Sequence, residues 1–110
     1  MGGEVQIVDK YGKQLIDGHN YKSYENSNFV SGDSPAIYDI NTDLGHNARD
    51  GNIICDGSGN IIINISHNGV DYGDDIPMKK NEKINLKPLN VNKIKITHSG
   101  TDSAYRILVV

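Results

Sequence analysis

The chain has 110 residues, enough for one domain with one hydrophobic core that needs neither disulfide nor metal. Its 36% hydrophobic content argues against wholesale disorder, and its net charge of −3 gives no global pull towards nucleic acid or an anionic membrane. No apolar run approaches the roughly 20 residues of a membrane-spanning helix, and residues 1–10 hold no apolar stretch that would serve as a signal peptide. The Met1–Gly2 start meets Gln6 where a myristoylation signal needs Ser or Thr. A soluble protein made and kept in a cytoplasm-like compartment is the expectation. Asn, Asp and Gly are frequent, which fits many tight turns and few helices.

Residues 4–16 alternate and then turn, with Val5 and Ile7 before Tyr11-Gly12-Lys13 and Leu15-Ile16 after it, the plan of a small hairpin. From Asp17 to Asp33 only Tyr21, Tyr24, Phe29 and Val30 offer anchors, so this segment reads as a long loop or extended arm with a short strand at Asn28–Ser31. Residues 1–33 are therefore read as a separable arm and 34–110 as the core. Pro35 to Asn41 alternates as a strand, with Pro at its permitted first position. A connection follows from Thr42 to Gly51, with one helical turn capped by Thr42.

The stretch from Gly51 to Tyr72 is the centre of the reading. Two apolar runs, Ile53-Ile54-Cys55 and Ile61-Ile62-Ile63, flank the turn Asp56-Gly57-Ser58-Gly59-Asn60, and Asn68-Gly69 closes the far end. β-branched runs bounded by Asp-Gly and Asn-Gly predict an antiparallel hairpin. Ile61, Ile63 and Ile65 share one face of its second strand; Ile62, Asn64 and Ser66 share the other. Ile76-Pro77-Met78 reads as an edge strand, because Pro77 has no N–H to donate. Lys83 to Leu86 follows with Ile84 and Leu86 inward, then Asn92 to His98, the cleanest alternation, and Ala104 to Val110, whose apolar residues on both faces suit a central position. Strands at about ten-residue spacing give the expected fold: all-β, an antiparallel β-sandwich of about eight short strands with an N-terminal hairpin and arm.

No residue set announces catalysis. Asp56 to Asn60 starts like an EF-hand loop, but Ile61 stands where Gly is needed and His67 where the terminal acid is needed. Asp71, Asp74 and Asp75 are acids of one loop, read as solvated turn residues. His19, His46, His67 and His98 are scattered with no paired spacing for zinc. Cys55, the single cysteine, sits in an apolar run and reads as a buried small hydrophobe. Lys79, Lys80, Lys83, Lys87, Lys93 and Lys95 suggest a basic stripe, yet Lys also guards strand edges against unwanted pairing. The tyrosines of the arm and turns, Tyr11, Tyr21, Tyr24 and Tyr72, offer either a protein-contact patch or a sugar-stacking platform.

The residues from Tyr38 onward carry, in order, a hairpin around a Ser-x-Asn-Gly turn (Ser66 to Gly69), a polar turn at Asn81-Glu82, and a final strand pair ending in apolar residues. In this the chain resembles small β-sandwich structural proteins of tailed bacteriophages. The resemblance implies a non-enzymatic virion component, a capsid-decoration, head–tail or tail-associated protein, made in the host bacterial cytoplasm. It implies other virion subunits as partners and homo-oligomers, with a trimer favoured. It brings no catalytic motif, cofactor, nucleic acid or membrane. Residues 1–33 lie outside it, and an arm reaching a neighbouring subunit suits that role. The expected partner-binding residues are Tyr21, Tyr24, Phe29 and Val30 in the arm, and Tyr72. The competing expectation is a carbohydrate-binding β-sandwich module, weakened by the lack of Trp and of a secretion signal.

Overall fold

A computed structural model describes residues 21–100 and 102–110. They form eight strands and one short helix: β1 (Lys22–Phe29), β2 (Ala36–Asp39), α1 (Ile40–Leu44), β3 (Gly51–Cys55), β4 (Ile61–Ser66), β5 (Ile76–Met78), β6 (Lys83–Asn85), β7 (Lys93–His98) and β8 (Ser103–Val109). The strands make two four-stranded antiparallel sheets, ordered β1-β8-β3-β6 and β2-β7-β4-β5. Among these pairs only β4 and β5 are consecutive in the chain. Every other connection crosses from one sheet to the other, which is the wiring of a jelly roll.

Alternation builds the layer between the sheets. In β8, Ser103, Tyr105, Ile107 and Val109 are buried while Arg106 and Leu108 face out. Directly opposed residues of an antiparallel pair point to the same face. Register therefore carries this face to Ile53 and Cys55 of β3 in the first sheet. In the second sheet Ile94 and Ile96 of β7 align with Ile65 and Ile63 of β4, and Ile61 with Met78 of β5. Each fully buried Ile contributes roughly 1.5–3 kcal/mol of transfer free energy. The face assignment of β4 follows the alternation in the sequence. Asn64 and Ser66 lie on its outer face and are nonetheless buried, because the β4–β5 connection folds back over them.

Three expectations are corrected. The first is the central hairpin: β3 and β4 do not pair, since β3 lies between β8 and β6 and β4 between β7 and β5. Five residues separate them, longer than the two-residue turn that locks a tight hairpin. After Cys55 the chain is held to β8, with the N–H groups of Asp56 and Gly57 both donating to the Ala104 carbonyl at 2.9 and 3.1 Å. A Cβ on Gly57 would strike the backbone of Ser103 and Ala104. The Ser103 hydroxyl then donates to the Gly59 carbonyl at 2.7 Å, and the chain passes to the other layer.

The second correction concerns the arm. Its residues 22–29 are β1, registered on β8 from Lys22↔Val109 to Phe29↔Ser103, with a bulge between Asn26 and Phe29. Phe29 is in the core. The boundary at 33/34 thus cuts through the sandwich, and the hairpin expected at 4–16 lies outside the described residues. The third is the cap of α1, which is Asp39 rather than Thr42: the Asp39 carboxylate accepts the Thr42 N–H at 3.2 Å. Gly45, at φ +85°, ends the helix by donating to the Asn41 carbonyl at 2.8 Å.

Candidate functional site

The sandwich has two open sides, and they are finished differently. Where β1 and β2 lie side by side, aromatic rings close the gap. Tyr24 tilts against Tyr38 with ring centroids 4.6 Å apart, and Tyr38 meets Tyr105 edge-on at 6.2 Å. Phe29 stands edge-on to Tyr105 at 5.3 Å and to His98 at 5.1 Å, the separations such pairs favour. The polar tips are tied in: the Tyr38 and Tyr105 hydroxyls share a 2.7 Å hydrogen bond, and the Tyr24 hydroxyl donates to Asp43 Oδ2 at 2.5 Å. Burial, then the Asp43 carboxylate, pushes the Tyr24 phenol well above its usual range. Burial and then the Tyr38 hydroxyl do the same to Tyr105. Both phenols stay protonated, and that of Tyr24 donates to Asp43.

This decides the fate of the expected partner residues. Phe29 is 1% exposed and cannot touch a partner; its hydrophobicity is spent on Tyr105 and His98. Tyr24 is half-buried and held by Tyr38 and Asp43. Val30 is half-buried in a turn where its N–H donates to Asp33 Oδ2 at 3.0 Å. Tyr21 alone of the arm set stands free, 57% exposed, just before β1. Tyr72 lies apart from all of these. Lys95, on the outer face of the second sheet, places its Nζ 4.8 Å from the centroid of the Tyr72 ring.

The opposite side, where β5 and β6 run, opens at one end into a cleft of about 490 Å³. Ile65, Ile76, Pro88 and Leu89 supply its apolar surface, and His67, Asp74 and Asn90 its polar rim. Its walls are two fastened loops. In the first, Asn68 Oδ1 accepts the N–H groups of Val70 and Asp71, each at 2.8 Å, and the Gly69 N–H donates to Ser66 Oγ at 2.9 Å. The Gly73 N–H returns to the Ile65 carbonyl at 2.9 Å. Gly69 needs its freedom: φ is +82°, and a Cβ there would press on the Asn92 side chain. The second wall is pinned by the mutual hydrogen bonds of Ala48 and Val91 at 2.9 and 2.8 Å.

The loop acids have local duties. Asp71 accepts from the Asn68 amide at 3.1 Å and Asp75 from the Asn64 amide at 2.8 Å. Among the described residues no three His, Cys, Asp or Glu side chains converge on a metal position. The six lysines do not form one stripe. Lys79, Lys80, Lys83 and Lys87 are exposed along the β5/β6 side, whereas Lys93 and Lys95 are on the outer face of the second sheet. Cys55 is buried as read, its thiol 3.5 Å from the Gly59 carbonyl and 3.7 Å from Ser103 Oγ.

The cleft is what sequence reasoning missed. Its apolar residues come from three separated segments, and the one local signal is Leu89, an isolated large hydrophobe between Pro88 and Asn90 that remains 43% exposed. Compared with protein-family models, curated proteins and solved structures, the chain gives no match.

Proposed function

We propose that this protein is a non-enzymatic structural subunit of a bacteriophage virion, of the decoration or head- and tail-associated kind, that works through protein–protein contacts. The observation that carries the reading is the β1-β8-β3-β6 and β2-β7-β4-β5 wiring, which capsid domains use. Sugar-binding domains use it too, so this support is an analogy of fold. The surfaces favour protein contact. The apolar surface of the cleft is aliphatic, from Ile65, Ile76 and Leu89, and no Tyr or Phe is among its lining residues to stack on a sugar. Tyr21 is an exposed ring of the type enriched at interface hot spots, and Leu89 is an exposed large hydrophobe at the cleft.

The carbohydrate-binding alternative rests on Tyr72, a half-buried ring beside the outer face of the second sheet. Light scattering on the full chain, paired with a glycan array, tests both. A solution oligomer with no glycan signal supports the structural reading. A monomer whose glycan binding disappears in Tyr72→Ala overturns it.

A further inference from the structure

The two open sides carry features that fit each other rather than themselves. Tyr21 precedes Lys22, which registers on Val109 and through it on Gly51 at the start of β3. That places Tyr21 on the β1/β2 side, at the end of the sandwich that holds the β2–β3, β4–β5 and β6–β7 connections. The cleft between the β4–β5 and β6–β7 connections is at the same end, on the β5/β6 side. An exposed aromatic and an aliphatic cleft thus stand at one level on opposite sides.

Charge repeats the pattern at both ends. Beside Tyr21 is the exposed cation Lys22, and beside the cleft the exposed carboxylate of Asp74. At the other end the signs reverse. The β5–β6 turn presents Lys79 and Lys80, while the β1/β2 side presents Asp33 in the β1–β2 connection.

We infer that a second copy of this chain docks side to side, the Tyr21–Lys22 corner of one entering the Ile65–Ile76–Leu89 cleft of the next. Lys22 meets Asp74 at one end of the contact, and Lys79 and Lys80 meet Asp33 at the other. Two different surfaces meet, so the contact is heterologous and closes into a ring or runs on, according to its rotation. This rests on the structural reading above and names its partner as the chain itself.

The test is light scattering on full chains. Wild type assembles. Tyr21→Asp and Leu89→Asp, both on exposed positions, each fall to the mass of one chain while keeping the wild-type thermal melt. Mixed together, they form a one-to-one pair and nothing larger, because each still owns one intact surface. Lys22→Glu weakens assembly about tenfold or more, the effect of reversing a close charge pair, and adding Asp74→Lys to the same chain restores it.

Several results would overturn the inference: a wild-type monomer at every concentration, single variants that assemble normally, or a mixture that stays monomeric. Assembly untouched by all four substitutions would sink this contact and leave the structural reading standing. A monomer that binds glycans through Tyr72 would take both down.

Discussion

The β1/β2 side and the β5/β6 side solve the same problem, the gap left where two sheets end, in opposite ways. The first is sealed by Tyr24, Tyr38, Tyr105 and Phe29, whose rings fill the gap and whose hydroxyls are tied to one another and to Asp43. The second is left open, and Ile65 and Ile76, partly buried against the core, line a cleft with Leu89. The lesson is that aromatic content does not mark the contact surface here. Most of the tyrosines and the phenylalanine in the described residues hold the fold, and the aliphatic side keeps an open cleft.

This contrast is easiest to break with paired truncations. Phe29→Ala on the sealed side is expected to cost roughly 3–5 kcal/mol, the range for emptying a buried aromatic site. A urea melt checks it, and a loss under about 1 kcal/mol would show that the side is not sealed as described. Tyr38→Phe deletes the hydroxyl shared with Tyr105. The loss of this one hydrogen bond is expected to cost about 1 kcal/mol in the same melt. Leu89→Ala on the open side is expected within about 0.5 kcal/mol of wild type. A large loss there would mean that the cleft is part of the core.

Alkaline titration sharpens the comparison. Tyr24 and Tyr105 both have phenols raised above the ordinary value of 10.0. A raised pKa means that the folded chain holds these protons more tightly than the unfolded chain does. Their stabilisation is complete below the unfolded value and is lost as pH rises past it. The urea midpoint is therefore expected to stay flat up to about pH 10 and to fall above it, with a shallower fall in Tyr24→Phe. Identical profiles for the two proteins would remove Tyr24 from the account.

How much of this was legible in the sequence varies strand by strand. β7 and β8 were plain, because Ile94 and Ile96 in the one and Tyr105, Ile107 and Val109 in the other recur at every second position. β1 was not. Its inward positions include Asn26, its outward ones are Ser23 and Glu25, and an edge strand needs only Tyr24 and Phe29 to hold it. The reversal at Asp56 to Asn60 was legible as a turn, but local turn chemistry does not say which strand the returning chain will pair with. That information resides in Gly57 and Ser103, which fit together only after β8 is present. The cleft was illegible for the same reason, being assembled from residues 65, 76 and 89 that no local window brings together.

The position of β8 has a consequence for how the chain is made. It lies between β1 and β3, so the first sheet has no continuous ladder until β8 has left the ribosome. Until then β1 waits without β8, its one pairing partner among the described residues, across almost the whole described span of chain. Among the described strands β4 with β5 is the one pair of consecutive strands, and so the soonest available to a chain still growing. Folding dominated by such distant pairings is slow, on the order of milliseconds to seconds. During synthesis the nascent chain therefore exposes Phe29, Ile53 and their neighbours to solvent, and early protection by a chaperone would matter more to its yield than to its final stability.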